Sequence, residues 1–182
     1  MMNALKEWAT VVKALEEGTQ TVLLRKGGIL DDEFDVEVNK FFLFPTWRHH
    51  ETKYVRPEHQ NFLEEMINNR PENGFNKITS FAEVLDEQDV GSMEVIERLS
   101  EFHVWSKTYI EERAAWKPEK PFKAIFLKTY KIPDMNIPLE SSFAGCKSWL
   151  EINSNFELGE SVLTESEIQS RLTKFRDVVS EI

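Results

Sequence analysis

The chain has 182 residues, 41% hydrophobic and 30% charged, which is room for one domain with a sizeable core and excludes a disordered or fibrous protein. With 32 acidic against 22 basic side chains, the net charge of −10 excludes coating of nucleic acid by bulk charge, but leaves room for a local basic site. A single cysteine, Cys146, excludes an intramolecular disulfide and a cysteine-only metal site, and no apolar run is long enough to span a bilayer.

Leu5, Trp8, Ala9, Val12 and Leu15 recur at helical spacing, and Gly18 stands where a left-handed C-terminal cap is expected, so the chain opens on a predicted helix. Thr21–Leu24 reads as a strand ending in the turn Arg25-Lys26-Gly27-Gly28. Phe34, Val36 and Val38 alternate with Asp35 and Glu37, predicting a strand buried on one face. Phe41–Phe44 is apolar on both faces and predicts a central strand that stops at Pro45. Pro57 opens a second helix carrying Phe62, Leu63, Met66 and Ile67. Ile78–Leu85 fits a helix or a short strand, while Ser92–Phe102 and Tyr109–Trp116 read as helical. Phe122–Tyr130 is the strongest strand pattern, and Cys146–Ile152 alternates with Cys146, Ser148, Leu150 and Ile152 on one face. Thr164 and Glu167 form a capping box for a last helix with Ile168, Leu172, Phe175 and Val179 inward.

Helices and strands mix without regular alternation, so the class is α+β. The expected organisation is a single domain over 1–158, with 61–120 a mainly helical insertion, and a C-terminal amphipathic helix at 159–182 packed on it. The acidic excess sits mainly in the middle of the chain, whereas Lys40–Arg56 carries Lys40, Arg48, His49, His50, Lys53 and Arg56 against Glu51 alone. The opening residues lack a secretory apolar core and cleavage site, so a cytoplasmic location without membrane contact is expected.

The blocks ALKEW (4–8), LLRKGGI (23–29), FFLFPT (41–46) and GCKSW (145–149) resemble an uncharacterised bacterial family, domain of unknown function 1802, a likeness that brings no activity with it. The opening helix, the turn through Gly18-Thr19-Gln20-Thr21 and the strand ending in Arg25 are similar in layout to ASCH domains, as are the later strand, Gly145 and Trp149 to ASCH and EVE domains. That likeness implies a PUA-like fold, a small mixed or antiparallel β-barrel flanked by helices, and a function in binding RNA or modified bases. Small ASCH hydrolases use a lysine in that turn; Gln20 stands there and lacks the nitrogen such chemistry needs.

The residues themselves supply candidates. Arg25 and Lys26 beside two glycines could meet a phosphate, or form a plain charged turn. Trp47, Arg48, His49 and His50 combine a stacking surface, charge and adjustable protonation after a strand end, or form an exposed loop. Lys147 and Trp149 share a face that is a phosphate-and-base platform or core. Glu7 could pair with Asp35 or Glu37 as two carboxylates, but Glu37 and Lys40 miss the acid–x–lysine spacing of a metal nuclease by one residue, and the histidines show no ligand spacing, so no metal and no cofactor are expected. The leading expectation is a domain that binds RNA, a nucleotide or a modified base through Arg25, Lys26, Trp47, Arg48, Lys147 and Trp149. The alternatives are a hydrolase acting on a nucleotide or nucleobase, with Thr21, His49 or His50 assisting, and a protein-interaction module using acidic helices at Glu94, Glu97 and Glu101. A homodimer fits the last helix.

Overall fold

A computed structural model describes residues 1–26, 36–47, 51–145, 147–153 and 156–180. Its elements are β1 (Met2–Trp8), α1 (Ala9–Glu16), β2 (Val22–Arg25), β3 (Lys40–Thr46), α2 (Gln60–Asn68), β4 (Phe75–Val90), α3 (Met93–Arg98), α4 (Lys107–Ala115), β5 (Phe122–Pro138), β6 (Trp149–Ile152) and α5 (Glu165–Val179). The class is α+β. Six strands form one sheet in the order β2-β5-β4-β3-β1-β6, with β1 parallel to β3 and every other pair antiparallel.

The sheet is not closed, so the expected barrel is open along one seam: β2 and β6 are its two edges. Side chains span that seam instead. Arg25 at the end of β2 reaches the Lys6 carbonyl on β1 and the Ser148 hydroxyl just before β6.

Leu5 and Trp8 lie on β1, not on the helix that their spacing predicts. β1 sits between β3 and β6 and is packed on both faces, Leu5 in the main core and Ala4 in a second cluster with Phe42, Phe44, Leu150 and Ile152. A doubly covered strand loses its period-2 pattern, so helical spacing in the sequence was coincidence. Residues 36–39 form no strand, and Val36 and Val38 are only half-buried against the main core. Phe34 and Asp35 lie outside the described residues.

β3 runs on through Pro45. The Pro45 carbonyl accepts from the Asn76 side-chain amide at 2.8 Å on the β4 side. A strand residue's nitrogen and carbonyl point the same way, so the missing N–H of Pro45 costs nothing in the pairing with β1. The ambiguous stretch at Ile78–Leu85 belongs to β4, and 61–120 therefore contributes a 16-residue strand to the sheet as well as helices. Of the apolar residues on α2, Leu63 is the buried one and Ile67 is 59% exposed. The Thr164–Glu167 capping box is formed, and α5 buries Ile168, Leu172, Phe175, Val178 and Val179. Phe175 meets Phe126 and Phe102 edge-on or tilted at 5.5 and 6.3 Å.

Candidate functional site

The ends of β1, β2 and β3 meet. In the parallel register, Trp8 is opposite Thr46, whose hydroxyl donates to the Glu7 carbonyl at 3.1 Å. The chain thus leaves β3 for Trp47 at a point beside Trp8. Glu7, only 4% exposed, holds the Arg25 guanidinium at 3.0 Å with one carboxylate oxygen and accepts the Trp8 amide at 2.8 Å with the other. Burying a carboxylate demands this compensation, and Arg25 supplies it as a fork onto Glu7, Lys6 and Ser148.

Aromatic rings gather against this ion pair. Trp8 lies edge-on to Trp105 at 4.9 Å, to Tyr109 at 5.8 Å and to Tyr54 at 6.0 Å, and Trp105 stacks on Tyr109 at 3.8 Å. Trp105 and Tyr54 are brought in by the bridge between Val55 and Trp105 and by the Ser106 amide donating to Tyr54. Ser106 also caps α4, which presents Tyr109. Burial pushes the Tyr109 phenol up to about 12; Arg113 and Arg25 oppose the shift, while Glu7 and Tyr54 reinforce it. The hydroxyl therefore stays protonated at every physiological pH. Tyr54 donates to Glu112 at 2.6 Å.

Lys26 is 6% exposed and donates to the Ala114 carbonyl at 2.9 Å, capping the last turn of α4, with its ammonium 5.1 Å from the centre of the Phe122 ring. Burial, with Arg113 adding, lowers its pKa from the ordinary lysine value, against a counter-effect of Glu119.

Of the other predicted residues, Trp47 follows the end of β3, whereas Lys147 and Trp149 lie elsewhere. The Trp47 indole donates to Asn76 at 3.1 Å. Lys147 and Trp149 line a groove of about 770 Å³ beside β6, where Trp149 meets Phe41 edge-on at 5.0 Å. Ser148, between them, is the link to Arg25. Thr21 is interior: its amide donates to Phe102, its carbonyl accepts from Leu127, and its hydroxyl has no partner among the described residues. Gln20 is 1% exposed; its amide nitrogen donates to Val22 at 2.9 Å and its oxygen accepts from Val104 at 3.2 Å. The position at which the ASCH likeness implies a reactive lysine is thus a clamp between backbone segments. Arg48, His49, His50, Gly27, Gly28 and Cys146 lie outside the described residues. Among the described residues, no three His, Cys, Asp or Glu side chains are placed to hold a metal ion. No helix among them is long and apolar enough to cross a membrane.

Trp8, Tyr54, Trp105 and Tyr109 were not legible as a group, because they come from three separate stretches and Trp8 fell within an apparent helical stripe. The one available signal was Glu7, an acid inside an otherwise packed strand.

A family model for a domain of unknown function, DUF1802, matches residues 4–174. The chain belongs to the DUF1802 family. No curated protein matches this DUF1802 chain significantly. Among solved structures it is similar to an ASCH protein from Zymomonas mobilis, at 13% identity and a TM-score of 0.49, covering 94% of this chain and 93% of that one. A Tyr-to-Phe variant of the same Zymomonas protein gives 14% identity and a TM-score of 0.48, over 94% and 96% of the two chains. These are likenesses of overall layout between distant sequences.

Proposed function

We propose that this DUF1802 domain binds a nucleotide-bearing ligand, as RNA, a free nucleotide or a modified base, at the joined ends of β1, β2 and β3. The observation that carries the reading is the aromatic group around Trp8 packed against the Glu7–Arg25 pair, at the point where β3 passes into Trp47. Trp8 and Tyr54, only partly buried, offer ring edges or faces to a base, with Tyr109 packed behind them. Arg48 and the neighbouring histidines offer charge for phosphate, while Arg25 positions the strand ends. The net charge of −10 favours a short footprint over a long polyanion.

The test is fluorescence anisotropy of short labelled RNA and DNA oligonucleotides, with labelled ATP and GTP in parallel, at low and moderate salt. The comparison is a Trp47→Ala/Arg48→Ala variant with an unchanged circular dichroism spectrum. Saturable binding by the wild type, weakened at least tenfold in the variant, is expected. Equal binding by both proteins, or none at low salt, overturns the reading. Turnover of a bound nucleotide that disappears in His49→Ala or His50→Ala would move the domain to the hydrolases.

A further inference from the structure

The groove beside β6 is chemically unlike the strand-end site. It has about 770 Å³, within the range of ordinary ligand sites, and is lined by two extended runs, 135–138 at the end of β5 and 149–152 of β6. Its apolar lining includes Ile137, Trp149 and Leu150. Its side-chain charges are Glu37, Glu140 and Glu151, all exposed, against Lys147, and Met1, which bears an amino group, also lines it. Glu140 accepts a hydrogen bond from Ser142 at 3.1 Å. A concave surface with this balance focuses negative potential and repels phosphate. No three of its acids are placed to hold a metal ion, so the charge suits a spread-out cation.

The remaining lining narrows the class. Trp149 beside Glu151 offers a ring face and a carboxylate to an ammonium or guanidinium group. Asn3, Asn136 and Asn153 line the same groove with amide donors and acceptors, the complement of a peptide main chain. Four strand residues span about 13 Å at roughly 3.3 Å each, the length of a four-residue extended segment. We infer that this groove binds an extended cationic peptide segment in which Lys or Arg alternates with apolar side chains. The inference is independent of nucleotide binding at the strand ends.

A fluorescein-labelled Lys-Ile-Lys-Val-Lys-Ile-Lys peptide tests it by anisotropy at low salt, with Glu-Ile-Glu-Val-Glu-Ile-Glu as the counterpart. Glu37→Gln/Glu140→Gln/Glu151→Gln removes the groove charge. Glu64→Gln/Glu94→Gln/Glu97→Gln removes the same charge from exposed sites on α2 and α3, controlling for bulk attraction by an acidic protein. Saturable binding of the basic peptide alone is expected, weakened at least tenfold by the groove triple and less than twofold by the control triple. The Trp149 indole N–H resonance should shift on titration. Equal losses in the two triples, equal binding of the acidic peptide, absence of saturation, or an unmoved Trp149 resonance would each overturn the inference. Should the groove triple fail to fold, Glu151→Gln alone, on an exposed strand position, carries the test with a threefold loss expected.

Discussion

The Arg25 guanidinium and the Glu7 carboxylate stand 3.0 Å apart across the one seam of the sheet that no strand pairing closes. Glu7 is 4% and Arg25 20% exposed, so the pair works in a poorly solvated place and ties the edge strand β2 to β1, which lies next to the other edge, β6. Removing one partner leaves the other charge buried without compensation. Arg25→Ala is expected to cost about 3 kcal/mol, or roughly 6–12 °C in Tm for a domain of this size. Urea midpoints measure it. A loss below about 0.5 kcal/mol, the scale of an ordinary surface change, would show that the seam does not depend on this pair.

Gly159 is required for a different reason. A Cβ at this position would fall 1.8 Å from the Lys131 carbonyl oxygen, a backbone atom that has no rotamer to escape into. The neighbouring Lys131 amide donates to Glu160, so the two segments cannot separate without losing that bond. Gly159→Ala should destabilise by about 1–3 kcal/mol, as overpacking does. Gly91, with open space around its Cβ position, is the control: Gly91→Ala should stay within about 0.5 kcal/mol. Equal midpoints for the two variants would contradict the close approach.

His103 makes the fold sensitive to mild acid. The residue is 2% exposed, its ring accepts the Trp105 amide at Nδ1 at 3.2 Å, and Nε2 has no partner among the described residues. Burial, with the Arg56 charge adding, pushes its pKa from 6.5 down to about 3. Between these values the unfolded chain binds a proton that the folded one refuses. The contribution is whole above pH 6.5 and is lost as pH falls toward 3, with a slope of up to about 1.4 kcal/mol per pH unit. His103→Gln keeps an acceptor for Trp105 without the titration. Its stability difference from wild type should shrink steadily between pH 6.5 and 4 in urea melts, and parallel curves would mean that His103 titrates as an exposed histidine does.

The cap of α5 is the smallest effect. The Thr164 hydroxyl accepts the Glu167 amide at 3.3 Å, satisfying one of the free donors of the first turn. Thr164→Ala should cost about 1 kcal/mol, and Thr164→Ser much less. A midpoint for Thr164→Ala equal to that of wild type would show that packing of Phe175 and its neighbours alone holds the helix.

The capping box at Thr164, the strand at Phe122, the central strand at Phe41 and the helix at Ser92 were readable because each is written in adjacent residues whose chemistry decides locally. The same holds for the absence of a disulfide and of a long apolar span. What tertiary structure alone decided is which strands flank each other. β1 looked helical because a strand covered on both faces has no alternation to display, and β4 was ambiguous for the same reason over its covered part. The candidate site followed that limit. Glu7, Arg25 and Ser148 meet only because a sheet of this order curls until its two edges approach, and Trp8, Tyr54, Trp105 and Tyr109 meet only because Val55 pairs with Trp105. Local residues can state a propensity, but a charge pair or a ring cluster assembled from distant segments exists only once long-range pairing has brought them together.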